Sequence, residues 1–125
     1  MKISVGKLLP LYDILNEISD KKMQVSTAYK INKNVKLCHD ELKNINESSI
    51  KLAENYCIRD KDNKPILKDN IYQFEDKDLP IINEELSKLN QVELDLPLIT
   101  IKLSELDNLE LSPIDIEKIS IIMEE

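Results

Sequence analysis

Residues 28–56 read AYKINKNVKLCHDELKNINESSIKLAENY and carry the strongest structural signal in the chain. Apolar side chains recur there at alternating steps of three and four residues, which aligns them along one side of an α-helix. We call these positions the seam: Ala28, Ile31, Val35, Cys38, Leu42, Ile45, Ser49, Leu52 and Tyr56. Eight of the nine are apolar, whereas a hydrophobic content of 42% predicts about four by chance. The pattern predicts a single helix of roughly 43 Å, with Ser26 or Thr27 as its N-cap.

The residues beside the seam indicate what it packs against. Coiled coils that select a partner place Glu and Lys at these flanking positions. Here the flanks are mostly uncharged: Asn32, His39, Asn46 and Ala53 on one side, and Asn34, Glu41, Ser48 and Asn55 on the other. Most of the lysines lie further round the helix, on the side that would face water. We therefore expect the rest of the domain to cover the seam, with self-association along the seam as the alternative.

Shorter elements surround this helix. Residues 2–5 suit a short strand, and a first helix is predicted to run to Ile18 with Pro10 in its first turn. Turn residues bracket short apolar runs within residues 58–78, which predicts a hairpin or an ordered loop. The pair Asp60 and Asp62 does not predict a calcium loop, because the glycine and glutamate that an EF-hand needs further along are absent.

The last third of the chain mixes helix and strand patterns. Residues 79–90 predict a helix capped by Asp78. Residues 92–96 alternate apolar and acidic side chains as a half-buried strand does, and Pro97 marks a bulge before a second alternating run. Ser112 and the proline after it open a last helix, with Ile116, Ile119, Ile122 and Met123 as its apolar stripe. These elements predict an α+β fold of one domain, residues 1–125, with a long central helix and three shorter helices packed on a small, mainly antiparallel sheet.

The residues that catalysis or cofactor binding would need are scarce. The chain has one glycine, so a phosphate-cradling loop is not expected. His39 is the only histidine, and adjacent helical residues point apart, so Cys38 and His39 do not form a nucleophile pair. Cys38 and Cys57 lie roughly 28 Å apart along one predicted helix, which excludes a disulfide between them and indicates two buried thiols. We expect no enzymatic activity, no cofactor and no metal.

The composition also bears on location. No apolar run near the N-terminus resembles the core of a signal peptide, and none in the chain reaches the length of a membrane span. The expectation is a cytoplasmic protein that does not contact a membrane.

Charge is distributed unevenly along the chain. Residues 1–68 contain 13 basic and 9 acidic residues (net +4), whereas residues 69–125 contain 4 and 15 (net −11). The basic half has lysines without the arginines and aromatic rings typical of nucleic-acid sites, so direct nucleic-acid binding is not expected. The acidic half predicts a partner-binding acidic surface at five residues: Glu93, Asp95, Glu105, Asp107 and Glu110.

The order of these parts resembles a family of small uncharacterised proteins from phages and prophages of low-GC Gram-positive bacteria, known as a domain of unknown function. The resemblance covers most of the chain and lies in structural sequence words. They are Lys7-Leu8-Leu9, Ala53-Glu54-Asn55-Tyr56, Asn83-Glu84-Glu85-Leu86, Val92-Glu93-Leu94-Asp95-Leu96, Lys102-Leu103-Ser104-Glu105-Leu106, Leu111-Ser112-Pro113 and Met123-Glu124-Glu125. It implies a phage-encoded accessory protein and defines no functional residue.

Three functional hypotheses follow. The first is a non-enzymatic phage or prophage accessory protein that binds a phage or host protein, for instance in virion assembly. The second is an acidic inhibitor that imitates a phosphate backbone and binds a host defence or nucleic-acid-processing enzyme. The third is a homo-oligomeric structural protein assembled on the seam.

Overall fold

The computed structural model describes residues 1–124 and confirms the α+β class. Its helices are α1 (Val5–Ile18), α2 (Val25–Tyr56), α3 (Leu79–Gln91) and α4 (Pro113–Ile119). Its strands are β1 (Lys2–Ser4), β2 (Leu67–Lys68), β3 (Ile71–Tyr72), β4 (Glu93–Asp95), β5 (Ile101–Lys102) and β6 (Met123–Glu124). Single 3-10 turns occur at Asp76–Asp78, Leu103–Leu106 and Ser120–Ile122. None of the helices in residues 1–124 has both the length and the apolar composition required to cross a membrane.

The strands pair in three separate two-stranded sheets, where the sequence had predicted one sheet. β1 pairs with β4 and β2 with β3, both antiparallel, whereas β5 pairs with β6 in parallel. The chain turns sharply between β4 and β5, because the Leu98 amide donates to the Leu96 carbonyl at 2.8 Å across Pro97. This turn, at the position where a bulge was expected, directs the two alternating runs into different sheets.

The core of the protein is centred on α1. Five of its side chains are almost completely buried: Leu8, Leu11, Ile14, Leu15 and Ile18. They recur at helical spacing and form one wide apolar face. Around them pack Ile3, Ile31, Cys38, Leu98, Ile101, Leu106, Ile119 and Ile122. Pro10 is the sixth residue of α1 and not in its first turn as predicted, because the helix begins directly after β1 at Val5.

The long helix is confirmed, but its N-terminus differs from the prediction. α2 begins at Val25 after Gln24, whose side chain makes no capping bond. Ser26 and Thr27 therefore lie inside the helix. Thr27 is fully buried, and its hydroxyl lies 3.5 Å from the Glu105 carboxylate. The Thr27 side chain contacts the segment after β5, and it is therefore not the N-cap of α2.

One polar residue of α2 is buried against expectation. Asn34, predicted to flank the seam, has 0% exposure, whereas the seam residue Ala28 is exposed. The Asn34 amide donates to the Ile99 carbonyl at 2.9 Å, and its oxygen accepts from the Ile99 amide at 2.8 Å. The side chain thus pairs with the backbone before β5 as a neighbouring strand would, which satisfies all four groups and permits burial.

The segment between α2 and α3 contains a hairpin, which was one of the two predicted alternatives, a hairpin or an ordered loop. Asp69 and Asn70 have φ of 53° and 64°, the left-handed pair that a type I′ turn requires. Upstream, the Asp60 carboxylate accepts hydrogen bonds from the amides of Asp62 and Lys64 at 2.9 and 3.0 Å. Asp60 therefore holds a turn of the backbone together.

α4 begins at the predicted cap. The Ser112 hydroxyl accepts from the Asp115 amide at 3.2 Å, and the Asp115 carboxylate accepts from the Ser112 amide at 3.2 Å. This reciprocal pair is a capping box. The helix ends at Ile119 and not near Met123 as predicted, because the following residues turn and enter β6. Ile119 and Ile122 are buried, whereas Ile116 is 40% exposed.

Replacing Ser112 with alanine should remove one half of this capping box. We expect the free energy of unfolding to fall by about 1 kcal/mol, the usual value for the loss of an N-cap side chain. Chemical denaturation followed by circular dichroism measures the change. Ser87→Ala, on the exposed surface of α3, is the control and should shift stability by much less. Equal effects of the two variants would contradict the capping role.

Candidate protein-binding furrow

The fully buried residues of the seam lie in the first half of α2, whereas the seam residues of the second half are only half-buried. Ile31 and Cys38 are 1% and 0% exposed. From Leu42 onward the seam residues are only half-buried, and the neighbouring Ile50 is 38% exposed. The rest of the domain therefore covers the seam completely at Ile31 and Cys38 and only in part from Leu42 onward.

Helix length explains the change. α1 has 14 residues and α2 has 32, so at 1.5 Å per residue they span about 21 and 48 Å. The two helices run antiparallel, because Tyr12 of α1 lies beside His39 at 6.1 Å between ring centroids, and Leu9 shares a cavity with Leu42. Continuing this register places Val5, the first residue of α1, near residue 46 of α2. Beyond that point α1 has no residues left to cover the seam.

Two adjoining cavities mark the uncovered half. One, of about 650 Å³, lies between α1 and α2 and is lined by Leu9, Tyr12, His39, Leu42, Lys43, Ile45, Asn46 and Ser49. The other, of about 330 Å³, is bounded by α2, α3 and the β2–β3 hairpin and is lined by Ser49, Leu52, Ala53, Asn70, Ile71, Tyr72, Phe74, Ile82 and Leu86. Ser49 lines both cavities, so they adjoin at this residue, and we call the two together the furrow.

The furrow has a mainly apolar surface. Leu9 at one end and Ile71 at the other are 52% and 65% exposed. The polar interruption of the seam is internally bonded, since the Ser49 hydroxyl donates to the Ile45 carbonyl at 3.1 Å. A third concavity, between α1 and α4, is lined by Lys7, Glu117 and Lys118 among its seven residues and is more charged than the furrow. Exposed, concave apolar surfaces of this kind are typical of binding sites.

The structure separates the five predicted acidic residues into two exposed pairs and one residue, Glu105, that is directed inward. Glu93 and Asp95 lie in β4, two residues apart and hence on one side of the strand. The Asp95 carboxylate lies 2.9 Å from the Met1 amine, and this hydrogen bond lowers the pKa of Asp95. Asp107 and Glu110 are exposed in the loop after the 3-10 turn at Leu103–Leu106.

Glu105, the remaining member, is directed into the protein. Its carboxylate accepts from the Lys102 amide at 2.8 Å and from the Lys30 ammonium at 3.0 Å, and its side chain is only 17% exposed. The hydrogen bond from the Lys102 amide, followed by that from Lys30, lowers the pKa of Glu105. Glu105 fastens the first turns of α2 to the segment after β5.

Replacing Glu105 with glutamine should make the free energy of unfolding depend less on pH in the acidic range. Because folding lowers the pKa of Glu105, its ionised form stabilises the fold above the unfolded pKa, about 4.3, and this stabilisation is lost as the pH falls through the folded value. We expect the free energy of unfolding to decline less between pH 6 and pH 3 in Glu105→Gln than in the wild type. Urea titrations at several pH values measure this, with the exposed Glu110→Gln as the control. Parallel pH profiles for Glu105→Gln and the wild type would contradict the assignment.

The two cysteines lie in different settings. Cys38 is buried, and its burial raises the thiol pKa to about 11, so the protonated form dominates at neutral pH. Cys57 follows the last residue of α2 and is half-buried, which differs from the predicted full burial because the helix ends there. Within residues 1–124, no three His, Cys, Asp or Glu side chains are grouped closely enough to hold a metal ion.

Comparisons of the chain with protein-family models, curated proteins and solved structures gave no match. The furrow was not predicted from the sequence. The sequence does contain one signal of it, because the apolar pattern of α2 continues for about twice the length of the pattern in α1.

Proposed function

We propose that this protein is a non-enzymatic accessory protein that acts by binding another protein in the furrow. The observation that carries the proposal is the open half of the α2 seam, an apolar surface held in place by an otherwise well-packed core. The resemblance to phage and prophage proteins supports a role in the cytoplasm of a bacterial host, with virion assembly as the process served.

The dimensions of the furrow suit a protein ligand. From Leu42 to Ala53 it follows α2 for about 16 Å, which is three turns of a helix. Apolar surface removed from water contributes about 25 cal/mol per Å², so covering half-exposed Leu, Ile and Phe side chains is favourable. Apolar grooves of this type commonly bind an amphipathic helix, whose apolar face lies in the groove.

Photo-crosslinking in the bacterium that encodes the chain tests the proposal. A benzophenone amino acid at position 46, in the furrow, should yield a discrete adduct heavier than 14.5 kDa after irradiation. The same group at position 61, in the exposed turn after α2, is the control and should yield none. Absence of an adduct from position 46, or equal adducts from both positions, would contradict binding in the furrow.

The identity of the adduct separates the possible roles. A virion structural protein would support the assembly role. A host nuclease or defence enzyme would instead support the second candidate, the acidic inhibitor, which the exposed carboxylates of Glu93, Asp107 and Glu110 favour. For that candidate, replacing these three residues with alanine should weaken binding and reduce its salt dependence, whereas a salt-independent complex would contradict it.

A further inference from the structure

Burial is distributed unevenly along α2 and the hairpin that follows it. The buried residues of α2 all lie in its first half: Thr27, Ile31, Asn34 and Cys38. From residue 39 to residue 81 no residue is fully buried, and the next buried side chain is that of Ile82 in α3, at 6% exposure. Separating the second half of α2 from the rest of the protein therefore breaks far fewer buried contacts than opening the core centred on α1.

The residues in the middle of α2 have weak helix preference. Residues 44–50 read NINESSI, and Glu47 is the one strong helix former among them. Asparagine and serine side chains compete for backbone hydrogen bonds, and isoleucine is β-branched, so each of these residue types disfavours a helix relative to alanine. The preceding residues 35–43, VKLCHDELK, include two leucines, two lysines and a glutamate, which favour a helix. The intrinsic helix preference of α2 therefore falls at residues 44–50.

Two adjacent serines in this segment also bond to the helix backbone. The Ser48 hydroxyl donates to the Asn44 carbonyl and the Ser49 hydroxyl donates to the Ile45 carbonyl, both at 3.1 Å. Serine bonds of this kind, to the carbonyl four residues earlier, slightly destabilise a helix and often bend it. They occur close to the point at which α1 ends beside the longer α2. The segment of weak helix preference thus coincides with the loss of support from α1.

Residues 51–74, which we call the arm, are bonded mainly to each other. The Arg59 guanidinium donates to the Glu54 carbonyl at 2.7 Å, and the Tyr72 hydroxyl donates to the Glu54 carboxylate at 3.4 Å. Within residues 1–124, the side chains of the arm form no hydrogen bond or ion pair with a residue outside it. Its contact with α3 is apolar, around the cavity that Ile82 lines. The end of α2 and the hairpin are therefore joined more firmly to each other than to α3.

From these observations we infer that residues 44–50 form a hinge, at which α2 unwinds locally and the arm moves away from α3 while the core stays folded. Unwinding breaks the helical hydrogen bonds that the amides of residues 48–54 donate to the carbonyls of residues 44–50. The arm keeps the bonds between the end of α2 and the hairpin. Ser49, where the two cavities of the furrow adjoin, lies in the hinge, so this motion changes the shape of the furrow. The inference goes beyond the proposed function and holds whether or not a partner binds in the furrow.

Hydrogen exchange of backbone amides, followed by NMR on the full chain in increasing urea, tests the hinge. The amides of residues 48–54 should be about 100-fold less protected than those of residues 31–38, because local opening requires less free energy than unfolding of the core. Exchange at residues 48–54 should depend little on urea, since local opening exposes little surface, whereas exchange at residues 31–38 should accelerate steeply. Equal protection, or equal urea dependence, in the two sets of amides would overturn the inference.

Two matched glycine substitutions separate local opening from global unfolding. Glu47→Gly and Lys36→Gly each remove an exposed, long side chain of α2, and each should accelerate exchange through any opening that unwinds its own position by about threefold. Glu47→Gly, in the hinge, should therefore accelerate both sets of amides. Lys36→Gly should accelerate residues 31–38 and leave residues 48–54 unchanged, because the first half of α2 stays folded when the hinge opens. Equal acceleration of residues 48–54 by the two variants would show that α2 opens only with the whole domain, which would overturn the inference.

Discussion

Leu8→Ala is expected to lower the free energy of unfolding by about 2 to 5 kcal/mol, the range measured for truncating a fully buried leucine. Leu8 has 0% exposure and lies within the core centred on α1. Its truncation removes apolar contacts and leaves a cavity that the neighbouring side chains can fill only in part. Since whole domains are stable by about 5 to 15 kcal/mol, this one change consumes a large part of the total. Urea denaturation followed by circular dichroism measures it.

The adjacent residue is a matched control. Leu9 has the same side chain in the same helix but is 52% exposed, at one end of the furrow. Leu9→Ala should change stability by less than about 1 kcal/mol, since much of its surface already contacts water. Equal losses from the two variants would show that α1 does not present the face described here to the core.

Asn34→Ala is expected to cost about 2 to 3 kcal/mol. The substitution leaves the amide and carbonyl of Ile99 without the partners that Asn34 provides at 2.8 and 2.9 Å, and each unsatisfied buried group costs about 1 to 3 kcal/mol. Partial access of water at the half-buried Ile99 keeps the sum below the upper limit. Denaturation measures the loss, and hydrogen exchange of the Ile99 amide should accelerate.

The control is Asn32→Ala, two residues earlier on the exposed side of α2. It should alter stability by no more than about 0.5 kcal/mol. If Asn34→Ala were as mild as Asn32→Ala, with Ile99 exchange unchanged, the bond between α2 and the segment before β5 would not be holding these elements together.

Local patterns in the sequence correctly predicted the elements whose formation depends on residues close together in the chain. The seam spacing identified α2, Ser112 and Pro113 identified the start of α4, and turn residues indicated the hairpin. Each of these signals arises within a few residues of the element that it specifies, through helical periodicity or capping. The single-domain organisation remains a prediction.

Features that depend on distant partners could not be predicted in the same way. Asn34 is polar and was placed outside the core, because its burial requires the Ile99 backbone, 65 residues away. Strand partners were not assigned from the sequence either, since nothing local indicates that β5 pairs with β6. Polar residues that form such pairs are the usual exceptions to patterning by hydrophobicity.

The candidate site also depends on contacts between residues that are distant in sequence. Proximity in sequence grouped five acidic residues, but the Glu105 carboxylate is occupied by Lys30 and the Lys102 amide. The furrow requires α1, α2, α3 and the hairpin to meet around Ser49, and no single segment encodes it. Comparing the lengths of the apolar patterns in α1 and α2 would have indicated an uncovered half, though not its position.

The second half of the α2 seam is only half-buried, so its side chains are accessible to solvent. Methyl NMR with a soluble paramagnetic probe tests it most directly, because the probe broadens signals of accessible methyl groups. We expect strong broadening at Ile50 and Ile71, clear broadening at Ile45 and Leu52, and little at Ile31. Protection of Ile45 and Leu52 equal to that of Ile31 would contradict this expectation.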